Sequence, residues 1–228
     1  MEGSFETLFR VKRTQIEMMR DRGYDTFLDE INFFFEDDEP VKFDQYKFAS
    51  RYPTMQSLSQ NYHHPLTQRN AYVHFFEKRG KKDKVSSEQI KDLSLILARK
   101  LDQNFDTIVL ISDVIIDKEG NDTLLNYPIF NFQTFLYEDL IENKTHHVLV
   151  PKHILLPFED TKNVLIINRL KRDQLKKLAY DDPIVKYYGG IPGQIFKIIR
   201  SKPNVPVMFD ESIDYRVVTY DSIRQLLK

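Results

Sequence analysis

The spacing of apolar positions divides the chain into short amphipathic segments separated by polar turns. Phe5, Leu8, Phe9, Ile16 and Met19 recur at the helical period and predict an opening helix, with Ser4 as its N-cap and Gly23 as its stop. Arg10, Arg13, Arg20 and Arg22, among Glu6, Glu17 and Asp21, read as a solvated face with local ion pairs, or as a surface for phosphate or an acidic partner. Residues 27–35 are rich in Phe and run into Glu36-Asp37-Asp38-Glu39 before Pro40, an exposed acidic loop. A short helix is expected over 43–48. Residues 49–70 hold Pro53, His63, His64 and Pro65 without a clear period and read mostly as loop. Tyr72-Val73-His74-Phe75-Phe76 has strand-type residues, and a basic turn follows it.

The clearest helix signal begins at Ser86, which forms a capping box with Gln89 ahead of Ile90, Leu93, Ile96, Leu97 and Leu101 on one face. Residues 107–116 are dominated by Ile, Val and Leu and read as a strand buried on both faces. Residues 117–122 read as a turn and 129–140 as another strand. Strand, helix, strand, strand predicts an α/β domain with the helix packed on a sheet. Beyond Asn143-Lys144 the composition changes. A strand is expected over 147–150, stopped by Pro151, and then a helix over 158–168 that buries Val164, Leu165 and Ile167. A short turn of helix is expected over 173–178. Asp182 caps a last helix with Pro183 at its first position and Gly189 as its stop. Strands over 193–200 and 215–219 complete a small α+β domain with a mixed sheet and short helices.

Composition sharpens this division. At 228 residues, with 41% hydrophobic and 29% charged positions, the chain suits one large or two small folded domains. The net charge of −1 conceals an asymmetry: residues 1–144 carry 19 Lys and Arg against 25 Asp and Glu, and residues 145–228 carry 14 against 9. Opposite signs on the two parts favour domains over 1–143 and 144–228. Neither part is basic enough to hold nucleic acid by charge alone. No apolar run approaches a membrane span, and the start Met1-Glu2-Gly3-Ser4-Phe5-Glu6 predicts no secretion signal. The absence of cysteine excludes disulfides, a thiol nucleophile and a thiolate metal site, and an intracellular location fits best.

Candidate chemistry is sparse. His146, His147 and His153 are the obvious metal suspects, but adjacent side chains on a strand point to opposite faces and no Cys or carboxylate supports them, so no metal site is expected. His63 and His64 fare no better. Asp106, Asp113 and Asp117, with Lys118-Glu119, raise a metal-dependent nuclease as the enzyme reading; its Glu-x-Lys spacing is absent, and the carboxylates read as strand-end and turn residues. No P-loop, GxGxxG or Ser-His-Asp signature is present, and no cofactor is implied. The basic turn Lys78, Arg79, Lys81, Lys82 and Lys84 reads equally as a few phosphate contacts without sequence readout or as a plain solvated turn.

A set of residues in the second part resembles one family. Thr145-His146-His147, Leu149-Val150-Pro151-Lys152-His153, Asp182-Pro183, Tyr187 or Tyr188 with Gly189, Gly193, Lys197-Ile198, Arg200 and Tyr215-Arg216 are similar to the fifth subunit shared by eukaryotic RNA polymerases I, II and III. The C-terminal part of that subunit is in turn similar to a small subunit of the archaeal RNA polymerase. A weaker match lies in Leu8, Arg10, Arg13, Thr14, Glu17 and Asp21-Arg22-Gly23-Tyr24. Departures are Leu175-Lys176 where the family commonly has Leu-Pro, the insertion that begins Ser201-Lys202-Pro203-Asn204-Val205-Pro206, and residues 221–228 beyond the usual end. With only four alanines, a skew expected of an AT-rich genome, these departures fit a divergent eukaryote or a large DNA virus.

The resemblance implies a non-catalytic polymerase subunit, present in one copy, with a jaw domain near downstream DNA and an assembly domain docked on the largest subunit beside the small sixth subunit. The docking residues it implies are His146, His147, Pro151, Lys152, His153, Asp182, Pro183, Tyr187, Gly189, Gly193, Lys197, Arg200, Tyr215 and Arg216, with Lys78, Arg79, Lys81, Lys82 and Lys84 nearest DNA. Duplex DNA would be bound only weakly, no membrane would be involved, and the location would be the nucleus or, for a virus, a cytoplasmic factory or virion. The alternatives are a free-standing nuclease or DNA-binding protein with the jaw fold, or a regulator that borrowed the assembly domain.

Overall fold

A computed structural model of the chain describes residues 2–33, 35–36, 39–40, 42–77, 84–85, 87–98, 105–201 and 211–220. The chain divides into two compact units, residues 1–142 and 143–228. In the first, α1 (Glu2–Asp21), α2 (Phe27–Phe33), the short ladder β1 (Phe35–Glu36) and β2 (Glu39–Pro40), and α3 (Gln45–Arg51) precede the hairpin β3 (Gln60–His64) and β4 (Arg69–Phe75). Then come β5 (Lys84–Val85), α4 (Ser87–Ala98), β6 (Phe105–Ser112), β7 (Ile115–Ile116), α5 (Lys118–Leu124), β8 (Asn131–Leu136) and α6 (Tyr137–Leu140). The main sheet has the order β3-β4-β6-β8; β3 runs antiparallel to β4, and β4, β6 and β8 are parallel. The crossover from β4 through α4 to β6 is the βαβ arrangement that parallel pairing requires.

Each face of this sheet has its own core. Tyr72, Ile108 and Leu110 pack with Phe76, Ile90, Leu93 and Leu97, which joins the sheet to α4. Because β-strand side chains alternate, Ala71, Val73, Val109 and Ile111 face the other way, and all are fully buried. Helix α1 is enclosed more completely than an amphipathic surface helix: Val11, Lys12, Gln15, Ile16, Met18 and Met19 are all inaccessible, and Glu17 is buried beside Arg13. An aromatic cluster of Phe9, Phe33, Phe43, Phe48 and Tyr52 joins α1, α2 and α3 through ring contacts of 5.3–6.4 Å.

Several expected elements differ from the observed ones, each for a local reason. Ser4 lies inside α1, not before it. The stretch expected as loop over 49–70 contains β3, hidden because only Tyr62 of its five residues is buried, as suits an edge strand. The expected turn over 117–122 is helix α5: Asp117 accepts a hydrogen bond from the Gly120 amide (2.6 Å), so its turn chemistry is an N-cap. The expected strand over 107–116 divides into β6 and β7, and that over 129–140 into β8 and α6. Ser86 and Leu101 lie outside the described residues; Gln89 donates to the Glu77 carbonyl (2.7 Å).

The second unit contains β9 (Lys152–Leu155), α7 (Phe158–Ile167), β10 (Lys176–Ala179), α8 (Pro183–Tyr188), β11 (Ile195–Ser201) and β12 (Glu211–Thr219). Its mixed sheet has the order β10-β12-β11-β9, with β10 parallel to β12 and the other pairs antiparallel. One face carries Leu155, Leu178, Phe196, Ile198 and Val218 against Val185 and Tyr188 of α8. The other carries Ile154, Ile195 and Val217 against Val164 and Leu165 of α7. Ile167, expected to be buried with them, is instead exposed at the end of α7. The expected strand over 147–150 is a turn, and the strand follows Pro151 instead of ending at it. Where a turn of helix was expected over 173–178, a short 3-10 turn, Arg172–Gln174, leads into β10.

Candidate functional site

The residues that carry the family resemblance are held by turn and cap chemistry. Asn143 opens the segment: its side-chain oxygen accepts from the Thr145 amide (3.0 Å) and hydroxyl (2.6 Å), and its amide nitrogen donates to the Tyr187 hydroxyl (3.0 Å). A 3-10 turn, Lys144–His146, follows. His147 then closes a second turn, its Nδ1 accepting from the Leu149 amide (3.2 Å) and its carbonyl from the Val150 amide (2.8 Å). The tip of that turn is Val148 and Leu149, which are 96% and 83% exposed. Two aliphatic side chains thus stand in water on a frame of satisfied hydrogen bonds.

His146 and His147 therefore lie in turns, not on the strand expected there, and both are exposed. His153, on β9, donates from Nδ1 to the Pro151 carbonyl (2.7 Å) and its ring meets Phe196 edge-on at 6.1 Å. Burial pushes its pKa below the ordinary histidine value; the Pro151 hydrogen bond and Asp182 oppose that shift, and Arg200 and Arg216 add to it. Among the described residues no three His, Asp or Glu side chains converge as metal ligands do.

Strand register sorts the rest onto two faces. His153, Arg200 and Arg216 share the α8 face, since His153 pairs with Ile198, and Phe196 with Arg216. Asp214 stands between cations there, 3.2 Å from Arg216 and 3.6 Å from Lys176. Lys152, Lys197 and Tyr215 point to the α7 face. Asp182 accepts from the Ile184 amide (2.8 Å) and Pro183 occupies the first helical turn of α8. Gly189, at φ 67°, ends the helix in the left-handed conformation, and Gly193 sits at φ 90°. Tyr187 is buried and ties α8 to Asn143. Asp182, Pro183, Tyr187, Gly189 and Gly193 thus shape the unit, and His146, His147, Lys152 and Arg200 reach its surface.

Two features had no signal in the sequence. One is Val148, whose exposure follows from the turn and not from its residue type. The other is a buried polar cluster in the first unit. There the Lys12 ammonium donates to Gln15 Oε1 (2.8 Å), the Leu58 carbonyl (3.1 Å) and the Tyr62 hydroxyl (3.2 Å), with Asp29 at 3.9 Å. Tyr62 in turn donates to Asp29 (2.5 Å). Burial depresses the Lys12 pKa to about 8, against the partial support of Asp29.

Elsewhere in that unit the carboxylates considered for a nuclease have separate tasks. Asp106 pairs with Arg69 (2.9 Å), Asp117 caps α5, and Asp113 lies near Tyr137. Of the residues expected nearest DNA, Lys84 is exposed at the start of β5, and Lys78, Arg79, Lys81 and Lys82 lie outside the described residues. No described helix is long and apolar enough to cross a membrane.

Comparison with known proteins bears on the sequence that forms this unit. Residues 142–218 match the family described as RNA polymerase Rpb5, C-terminal domain. Over 198 residues the chain is 26% identical to the DNA-directed RNA polymerases I, II, and III subunit RPABC1 of Caenorhabditis elegans, across 85% of this chain and 88% of that protein. Identity and coverage are the same for RPABC1 of Caenorhabditis briggsae. The resemblance read from Thr145-His146-His147 through Tyr215-Arg216 therefore holds, and the matched span contains every one of those residues.

Proposed function

We propose that this chain, a relative of the fifth subunit shared by RNA polymerases I, II and III, is a non-catalytic subunit of a multisubunit DNA-directed RNA polymerase. On this reading residues 144–228 are the assembly domain, docked on the largest subunit beside the small sixth subunit, and residues 1–143 are the jaw, near downstream DNA. The subunit is present in one copy and acts in the nucleus.

The observation that carries the reading is the turn at His147. Two adjacent aliphatic side chains exposed on a hydrogen-bonded turn make a small apolar patch that another surface can cover. Val148 and Leu149 do so within the family-matched span, flanked by exposed His146 and Lys152. Burying a Val or Leu side chain contributes about 1.5–3 kcal/mol, so the pair supplies a docking anchor of several kcal/mol. Arg200, Arg216 and His153 add a polar face whose charges, balanced internally by Asp214, favour register over raw affinity.

Purification of the tagged full chain tests this. Stoichiometric recovery of the two largest polymerase subunits is expected, and recovery of the chain alone would sink the proposal. Replacing Val148 and Leu149 together by Ser should weaken assembly by about 3 kcal/mol, over a hundredfold, with no change in the thermal stability of the isolated chain.

A further inference from the structure

The sheet of the second unit ends at β9, and the pairing of that strand fixes which way its backbone groups point. Leu156 donates from its amide to the Ile195 carbonyl (2.9 Å), one step beyond the paired residues Leu155 and Phe196. In an antiparallel ladder every second residue exchanges hydrogen bonds with its partner. Ile154 and Lys152 therefore bond to β11, opposite Lys197 and Ile199. His153 and Leu155 turn their amides and carbonyls the other way. The Val218 amide, bonded to the Gln194 carbonyl (2.9 Å), sets the same phase from the β12 side: Phe196 and Ile198 bond to β12 and leave Lys197 and Ile199 to β9. Among the described residues no hydrogen bond reaches the outward backbone groups of His153 and Leu155.

Two other edges are closed or blunted. In the first unit β3 receives the Asp25 amide on its His63 carbonyl (2.8 Å). At the far side of the second sheet β10 opens with Lys176 and Lys177, both exposed, and lysine on an edge opposes added pairing. Strand β9 carries one lysine, Lys152 at its start, and its His153, Ile154 and Leu155 are half-buried. It continues directly from the turn that exposes Val148 and Leu149, with at most about 14 Å of chain between Leu149 and His153. The open edge and the apolar tip are thus neighbours on one surface.

An outward amide and carbonyl repeating every second residue, about 6.6 Å apart, are matched by one kind of ligand, another extended backbone. We infer that β9 is a strand-addition site, along which an extended segment of the docking partner pairs with His153 and Leu155 and adds a fifth strand to the four of the sheet. Main-chain bonds hold the segment in register. Its side chains alternate between Leu155 on the α8 face and Ile154 on the α7 face. The inference rests on the docking reading above and adds to it the mode of contact, main chain to main chain, which burial of Val148 and Leu149 does not require.

Hydrogen exchange resolved by residue tests it, in the tagged full chain alone and in the polymerase recovered with it. In the chain alone the His153 and Leu155 amides should exchange about tenfold or more faster than the Ile154 amide, and in the complex they should slow by about tenfold or more. Recovery of the chain alone would sink the docking reading and this inference with it. Recovery of the complex with His153 and Leu155 exchanging as before would overturn strand addition and leave the docking reading standing. Two variants give a second readout. His153→Pro deletes an outward amide and no bond to β11, a change an edge strand tolerates, and should weaken assembly about tenfold. His153→Ala keeps that amide and should assemble within about threefold of wild type. Equal assembly by the two variants would overturn the inference. The exchange measurement uses the unaltered chain, so it decides the question even where His153→Pro unfolds.

Discussion

Replacing Lys12 by Met tests the energetics of the first unit most directly. The ammonium is wholly inaccessible and has three hydrogen-bond acceptors, Gln15, Leu58 and Tyr62, with the Asp29 carboxylate at 3.9 Å. Methionine fills nearly the same volume, so the variant removes charge and hydrogen bonds without opening a large cavity. It leaves Asp29 buried beside the Tyr62 hydroxyl without the neighbouring ammonium, and it takes the Lys12 hydrogen bond from the Leu58 carbonyl. Breaking a buried ion pair from one side destabilises by about 3 kcal/mol or more.

The pH dependence makes this expectation specific. Lys12 has a folded-state pKa of about 8 against an ordinary value of 10.5. Below pH 8 the side chain is charged in both states. Between pH 8 and 10.5 the unfolded chain keeps a proton that the folded chain has released, so wild-type stability rises by about 1.4 kcal/mol per pH unit from this group. The variant lacks that gain, and its deficit should widen by roughly 2 kcal/mol between pH 8 and 9.5. Tyr62, whose pKa burial raises, works in the opposite sense only as unfolded tyrosines ionise near pH 10, and it does so in both proteins. Urea unfolding at pH 7, 8, 9 and 9.5, followed by near-ultraviolet circular dichroism, measures the deficit. A deficit that stays constant or narrows above pH 8 would refute the reasoning.

Three further outcomes are expected. His74→Phe should flatten the acid limb of stability between pH 6.5 and 4 by roughly 2 kcal/mol, because burial lowers the His74 pKa to about 4 and the wild type loses stability as pH falls through that window; parallel acid-unfolding curves would contradict this. Asp182→Ala should destabilise the second unit by about 1 kcal/mol through loss of the α8 cap, and calorimetry should show Asp182→Asn retaining most of the stability. Gly190→Ala should be worse, about 1–3 kcal/mol, since the added Cβ would fall 3.0 Å from the Phe196 ring and 3.1 Å from Val185, both fully buried, so chemical unfolding no different from wild type would exclude that clash.

What could be read from the sequence was local chemistry, and what could not was register. Asp182, Pro183 and Gly189 announced α8 because a cap, a first-turn proline and a left-handed glycine act within one turn of the helix. The same local signals misled where they serve two structures: Asp117 with Gly120 reads as a turn and is a helix start. Strand β3 escaped because an edge strand needs only one buried residue, and Tyr62 alone leaves no period to detect. Lys12 gave no sign either, since a lysine counts as a solvent residue until its partners, 46 and 50 residues away in Leu58 and Tyr62, are brought to it.

The proposed docking surface obeys the same division. The family motif was legible as residues, but its two faces were not, because the side of the sheet taken by Arg200 or Lys197 depends on the pairing of β11 with β9 and β12. A register shift of one residue would exchange them and send His153 to the α7 face. The pairing that prevents such a shift is anchored on both faces of the sheet: Phe196 and Ile198 lie buried beneath α8, and Ile195 and Val217 pack against the α7 side. The shape of the surface and the core beneath it are therefore a single constraint. Polar changes at Arg200 or Arg216 should alter binding while the sheet persists, whereas a polar change at Phe196 or Ile195 would loosen the register that aims them.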